Sequence, residues 1–457
     1  MKTILRYIIA GIMLFSITSC EKFLDREPIS QVTPENFFTS EQNAQSAVMG
    51  MYRSMLSPYY YGQTMIIIPE FSANHVNHAA SYPEFVEYKE NRIRVDNPWT
   101  GNLWNAAYAT INAANNIISR VAEMPQGSIS EEKKSQFIQE AKFVRGLTYF
   151  NLVRAFGNIP LVLTPTAEDE DLQVAQSAAD KVYEQIIADL KETLNLPDSY
   201  ANAADTKGRA TGTAGKALLA KVYLYHAKTT GDYTEAARLA GEVVGQSGLS
   251  LPGAFGSVWT EENTSESIFE LQFDEQAINT LASVSNPTAS MLFYAAGEEI
   301  AGMYEASDKR KDFTVYPGEG ENSGRYYIGK YRNYSPAIQN FPVIRLAEIL
   351  LIHAEAKARA DGNVSSAAWN SFKTVRDRAG ITTPQVSAFA SVAAFVTEVQ
   401  EEKRREMMFE GEAWFDYCRT GLALTEMMKN ANPDYFLYPI PDAQRLVNPL
   451  LQQNKGY

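Results

Sequence analysis

Cysteine is almost missing from this chain: its 457 residues include two, Cys20 and Cys418. Once Cys20 is committed elsewhere, as argued below, no disulfide can close within the chain, and packing alone must hold the fold. Long apolar runs are missing as well. The longest, Tyr7 to Ile17, falls short of the ~20 apolar residues that span a bilayer. Positive charge is in deficit, with 41 Lys and Arg against 54 Asp and Glu and a net charge of -13, which disfavours nucleic acid and anionic lipid headgroups as partners. Signatures of catalysis are scarce. Gly212-Thr213-Ala214-Gly215-Lys216 fails as a phosphate-binding loop, because Ala210 stands where glycine is required and Ala217 where serine or threonine is. Neither a Gly-Xaa-Ser-Xaa-Gly elbow nor a His-Glu-Xaa-Xaa-His zinc motif occurs. His75 and His78 lack an acidic or thiolate neighbour at ligand spacing, so no metal and no cofactor is expected. Paired carboxylates abound in any acidic chain and leave a glycoside hydrolase open.

What is present begins at the N-terminus. Lys2 and Arg6 form a positive start, Tyr7 to Ile17 an apolar stretch, and Thr18-Ser19 a small-residue cleavage site ahead of Cys20. This is the pattern of a bacterial lipoprotein signal. Residues 1–19 are expected to be removed and Cys20 to become an acylated N-terminus, leaving 438 of the 457 residues and a charge of -15 once Lys2 and Arg6 are gone. One acyl chain anchors marginally and several anchor firmly, at ~0.8 kcal/mol per buried methylene.

Residues 20–34 read as a polar tether, and residues 35–457 as one large domain. Its N-terminal part, about 35–245, is helical, with a start at Thr33-Pro34 and stripes at 3.6-residue spacing to Ser57, then over Leu103–Val121, Glu131–Phe156, Asp180–Leu194, Thr211–Lys228 and Tyr233–Val244. Pro58 to Thr100 breaks that periodicity, and a long irregular excursion is usually functional. An irregular insert, about 246–340, carries short strand-like pieces such as Ser267 to Phe273, read as small β-hairpins. The C-terminal part, about 341–457, returns to helices over Arg345–Ala360, Ser365–Ala379 and Val392–Arg419. Two helix pairs resemble tetratricopeptide repeats: Ala220 and Tyr223 before a turn at Gly231-Asp232-Tyr233 and Ala236, and Ala354 before Gly362-Asn363 and Ala367. The fold class is therefore mostly α.

Ordered motifs along the chain resemble the SusD/RagB family of outer-membrane nutrient-uptake lipoproteins. They are Cys20 with Phe23-Leu24-Asp25 and Phe37-Phe38-Thr39-Ser40; Trp104-Asn105 with Ala114-Asn115-Asn116; Arg145-Gly146-Leu147 with Phe156-Gly157-Asn158-Ile159-Pro160; Glu402 to Asp416; Tyr438-Pro439-Ile440-Pro441; and Asn448-Pro449 to Tyr457. Lys455, where the family often has proline, and Cys418, where charge is common, depart from the pattern. The resemblance implies helix pairs packed on a loop-rich part, a surface position in the outer membrane, and a partner, the SusC-like TonB-dependent barrel, over whose mouth the protein acts as a lid. It implies an oligosaccharide ligand, or peptide in some branches, bound without being cleaved.

A sugar ring offers an apolar face and a rim of hydroxyls, so a binding site needs exposed aromatic rings beside amides or charged groups. The first irregular region supplies Asn74, Tyr82, Phe85, Arg94 and Trp99; the second supplies Tyr294 and Tyr327. Trp99 follows Asn97-Pro98 in an apparent turn and is the preferred platform, whereas Trp104 reads as core. By position, Trp99 and Asn74 resemble places where glycan-binding relatives put ligand contacts. Glu406, Glu410, Glu412 and Asp416 are concentrated near Arg404 and Arg405 and look catalytic, but helical spacing makes them a charged face with buried pairs, Arg405 with Glu410 or Asp416.

Overall fold

The computed structural model describes residues 37–166, 173–320, 323–426 and 432–457. The leader, the Thr33 helix start, Cys20 and the tether lie outside these residues. Twelve longer helices carry the fold: α1 Glu41–Ser54, α2 Thr64–Ser72, α3 Pro83–Lys89, α4 Pro98–Glu123, α5 Glu131–Phe156, α6 Ala179–Glu192, α7 Gly212–Tyr225, α8 Thr230–Val244, α9 Leu346–Asp361, α10 Ser366–Ala379, α11 Val392–Glu406 and α12 Ala413–Thr420. Among the described residues eight short strands join them in four pairs: Ile159–Pro160 with Gln176–Ser177, and three pairs drawn from β1 Val76–His78, β2 Ser267–Leu271, β3 Phe293–Ala295, β4 Val315–Pro317, β5 Tyr326–Ile328 and β6 Phe341–Arg345. Among the described residues no helix is long and apolar enough to cross a membrane.

Local chemistry sets the helix ends. Ser40 caps α1 by accepting the Asn43 N–H at 3.3 Å, and Ser130 caps α5 through the Lys133 N–H at 3.2 Å. The expected turn at Gly231-Asp232-Tyr233 is instead the first turn of α8. Thr229 and Asp232 form a reciprocal capping box that starts the helix earlier. Gly362 at φ 65° and Gly380 at φ 75° end α9 and α10 in the left-handed region. Helices α7/α8 and α9/α10 form antiparallel pairs, and α8 lies along α9 so that the pairs stack. Ala220, Ala236, Ala240, Ala354 and Ala358 are buried in these seams, where small side chains let the backbones approach.

Two further expectations about the helices fail for identifiable reasons. Pro58–Thr100 is not wholly irregular. It contains α2, whose nine residues are all buried; a helix apolar on every side shows no periodic stripe. The expected helix over Val392–Arg419 is broken between Glu406 and Ala413. Phe409 and Gly411 adopt φ of 67° and 80°, which turns the chain, so Arg405 and Phe409 do not share a helical face. A Cβ on Gly411 would lie 2.9 Å from the backbone of Ile66. Gly411→Ala is therefore expected to lower stability by about 2 kcal/mol or more, combining a strained φ with a backbone clash. A urea midpoint equal to that of the parent protein would contradict this.

Only half of the strand pairs join sequence neighbours. Antiparallel β4 and β5 neighbour each other in sequence, but β1 pairs with β3 and β2 with β6 across more than 60 residues.

The C-terminal block is buried in two charge networks. In the first, Arg310 pairs with Asp308, Glu402 and Glu406; Arg345 with Glu266, Glu406 and Glu410; Lys330 with Glu410; Arg376 with Glu402; and Arg378 with Glu266 and Glu406, five cations against five carboxylates. In the second, Lys221 pairs with Glu348 and Glu412, Lys403 with Glu348 and Asp416, Arg154 with Glu412, and Arg419 with Glu355 and Asp416, four against four. Arg405 is not the partner of Glu410 or Asp416; it reaches Glu402 at 3.1 Å, because Glu410 and Asp416 lie beyond the break. The most deeply buried members of each network balance in charge, with the more exposed Arg405, Glu305 and Arg359 at the edges, which is what lets so many charges leave water.

Candidate functional site

The β1–β3 ribbon brings the two irregular regions together. Val76 faces Ala295, Asn77 faces Tyr294 and His78 faces Phe293. The pairing extends at both ends, where the Ala296 N–H donates to the His75 carbonyl at 2.8 Å and the Ala79 N–H to the Leu292 carbonyl at 2.9 Å.

On the face bearing His78 and Phe293, six rings meet. Phe85 is the centre, with its ring centroid 4.7 Å from Phe71, 4.8 Å from Trp99, 5.1 Å from Phe293, 5.8 Å from His78 and 6.0 Å from Tyr82. Phe85 is fully buried, so its expected direct contact with ligand is corrected: it is the floor on which other rings rest. Tyr82 and Trp99 are half-buried. Trp99 does not sit in a turn outside the helix. Asn97 is the cap of α4, its Oδ1 accepting the Trp99 N–H at 3.0 Å, and Pro98 takes the first helical position; Asn-Pro is a helix start. The Asn97 amide is itself held, donating to Glu87 at 2.8 Å and to the Glu84 carbonyl at 3.0 Å. Burial pushes the His78 imidazole below its ordinary pKa, aided by the charge of Lys89, so the ring is neutral near pH 7.

Arg94 belongs to the same support. Its guanidinium pairs with Glu87 at 2.8 Å and Asp96 at 3.4 Å while its side chain stays 61% exposed, and its N–H donates to Glu87 at 3.0 Å. Asn74, at φ 60°, turns the chain from α2 into β1 with its side chain half-buried. His75 is buried, its ring nitrogens facing Glu70 at 2.7 Å and Tyr417 at 3.1 Å. Among the described residues no group of three or more metal-ligating side chains assembles.

On the other face of the ribbon, Tyr294 lies half-buried with the Arg325 guanidinium 5.0 Å from its ring centroid. A cleft of about 280 Å³ opens there, lined by Tyr294, Gly297, Ser323, Arg325 and Tyr326. Tyr327 is not part of it. It is 3% exposed and packs on Tyr316 at 5.3 Å, since adjacent residues of β5 point to opposite sides. Its neighbour Tyr326 lines the cleft. Asn77, His78 and Arg325 are not among the expected site residues; the one sequence signal for Arg325 is that it directly precedes Tyr326-Tyr327.

The helical scaffold and its surface of half-buried rings define a class, an α-helical protein that displays aromatics at helix starts and on short paired strands. The comparisons with known proteins fix the family. Residues 22–224 match the family described as "Starch-binding associating with outer membrane", and residues 316–435 match the SusD family. The chain is 25% identical to the SusD-like protein P2 of Formosa agariphila, with 98% of each chain covered. A SusD superfamily structure from Parabacteroides distasonis superposes with a TM-score of 0.80 at 25% identity, covering 92% of this chain and all of the other. A laminarin-binding SusD-like protein superposes with a TM-score of 0.77 at 25% identity, again over 92% of this chain and 100% of the other. This chain belongs to the SusD/RagB family.

Proposed function

We propose that the protein is a non-hydrolytic glycan receptor, lipid-anchored at Cys20 on the outer face of the outer membrane after loss of residues 1–19, with residues 20–34 as tether and one domain from residue 35. It captures oligosaccharide and passes it to a SusC-like TonB-dependent barrel, over which it closes as a lid. The observation that carries this reading is the convergence of Tyr82 and Trp99 on one side of the β1–β3 ribbon with Tyr294 and Arg325 on the other. Half-buried rings set on a rigid floor give flat apolar surface at little entropic cost, and the nearby guanidinium supplies donors for hydroxyls. Asn74 stands at the start of the ribbon and belongs to the same surface. Laminarin, the ligand of one similar protein, and starch, from the family description, are the first polysaccharides to try. Closure needs only that ligand and barrel favour the shut arrangement.

Calorimetry against a panel of glucans, other plant and algal polysaccharides and peptides tests the reading. A glucan or another glycan should bind, and Trp99→Ala should weaken it at least tenfold, about 1.4 kcal/mol, while the urea midpoint shifts modestly because the ring is only half-buried. Binding of peptides alone, an unchanged affinity in Trp99→Ala, or shortening of the glycan during long incubation would each count against it.

A further inference from the structure

The ribbon that joins the two surfaces is three residues long on each strand, and an isolated two-stranded pair of that length is marginal. A side chain reinforces it. Asn77 Nδ2 donates to the Ala296 carbonyl at 3.0 Å, and Lys89 Nζ donates to Asn77 Oδ1 at 2.6 Å. The lysine fixes which way the amide faces, since only the oxygen end can accept from an ammonium. Lys89 belongs to α3, the helix that carries Phe85 beneath Tyr82 and Trp99, whereas Ala296 follows Tyr294 and leads into the cleft through Gly297. The path Lys89–Asn77–Ala296 therefore links the helix under one surface to the strand that carries the other.

We propose that Asn77, oriented by Lys89, is a positioning residue that fixes the spacing between the Tyr82/Trp99 surface and the Tyr294/Arg325 cleft, so that the protein selects glycan chains long enough to touch both. The proposal rests on the glycan-binding reading above. Each surface alone is small. Linking two weak contacts at a fixed distance raises the affinity of a ligand that spans them and does nothing for one that reaches a single surface. Chain-length preference is thus a property of the clasp rather than of either aromatic surface.

The test uses the full mature protein with Asn77→Leu, Asn77→Asp and Lys89→Met. Asn77→Asp keeps the oxygen that Lys89 engages and loses the donor to Ala296, so it should behave like Asn77→Leu; both positions are half-buried, and the melting temperature should stay near that of the parent. Hydrogen exchange in the absence of ligand should quicken at least fivefold over residues 292–297 and stay unchanged in α5 and α9. Affinity for laminarin should fall at least tenfold in the Asn77 variants while that for laminaribiose stays within twofold. Unchanged exchange over 292–297, or an equal loss for polymer and disaccharide, overturns the clasp. If the parent protein prefers another glycan from the panel, the same ratio is read with that polymer and its disaccharide. A parent protein that binds no glycan refutes the receptor reading and with it the selection by length, while the exchange result still decides whether Asn77 joins the two segments.

Discussion

Arg345→Met is expected to abolish stable folding or to lower the unfolding free energy by about 3–5 kcal/mol, the cost of removing one member of a buried ion-pair group. Arg345 is fully buried and holds Glu266 at 2.7 Å, Glu406 at 2.6 Å and Glu410 at 2.7 Å, with a further bond to the Glu406 carbonyl at 2.7 Å. Methionine fills much of the volume but leaves the five buried carboxylates facing four buried cations, with only Arg405 at the edge to help. Whole-domain stabilities are about 5–15 kcal/mol, so such a loss is a large share. Soluble protein whose unfolding free energy, from urea titration, lies within about 1 kcal/mol of the parent value would show that the network is less tightly coupled than its geometry indicates. Neutralising a partner as well, as in Arg345→Met with Glu266→Gln, should recover part of the loss, because the cost lies in imbalance rather than in the absence of any one bond.

Acid should unfold the protein through the second network. Burial alone would raise the Glu412 carboxyl, but the charges of Arg154, Lys221 and Lys403 outweigh it and hold the group at about 2. Asp416 is lowered against the same burial penalty by Lys403 and Arg419, and Glu406, in the first network, is held well below the usual range by Arg378, Arg345, Arg310 and Lys330. A folded value below the unfolded one means that the stabilisation is fully present above about pH 4.5 and is lost as pH falls toward about 2. For Glu412 alone the shift from 4.5 to about 2 corresponds to about 3 kcal/mol. Urea midpoints measured between pH 6 and pH 2.5 should fall steeply below pH 4.5, and Glu412→Gln should start lower and fall less. A flat profile down to pH 3 would contradict the assignment.

The scaffold was legible where one face of a helix is apolar and the other polar. Glu131–Phe156 emerges with the expected ends because Ser130 caps it and Gly157 stops it. The Thr64–Ser72 helix was hidden by being buried on all sides, and the break after Glu406 by a non-glycine residue, Phe409, in the left-handed region. At the candidate site the residue types were legible but their depth was not. Phe85 and Trp99 are both large aromatics in one irregular stretch, yet one is the floor and the other reaches solvent. That difference depends on Phe293, which arrives from about 200 residues away. The same holds for Tyr326 and Tyr327, whose roles exchange with a shift of one position along a strand.

The distances along the chain between paired charges also constrain how this protein is made. Arg154 meets Glu412 only after 258 further residues, and Lys221 reaches the same carboxylate after 191. During synthesis the amino-terminal helices emerge carrying cations whose neutralising partners do not yet exist, so that half cannot bury them and close by itself. Folding must wait for the last stretch of the polypeptide, and fragments ending before Glu412 should remain protease-sensitive however helical they are.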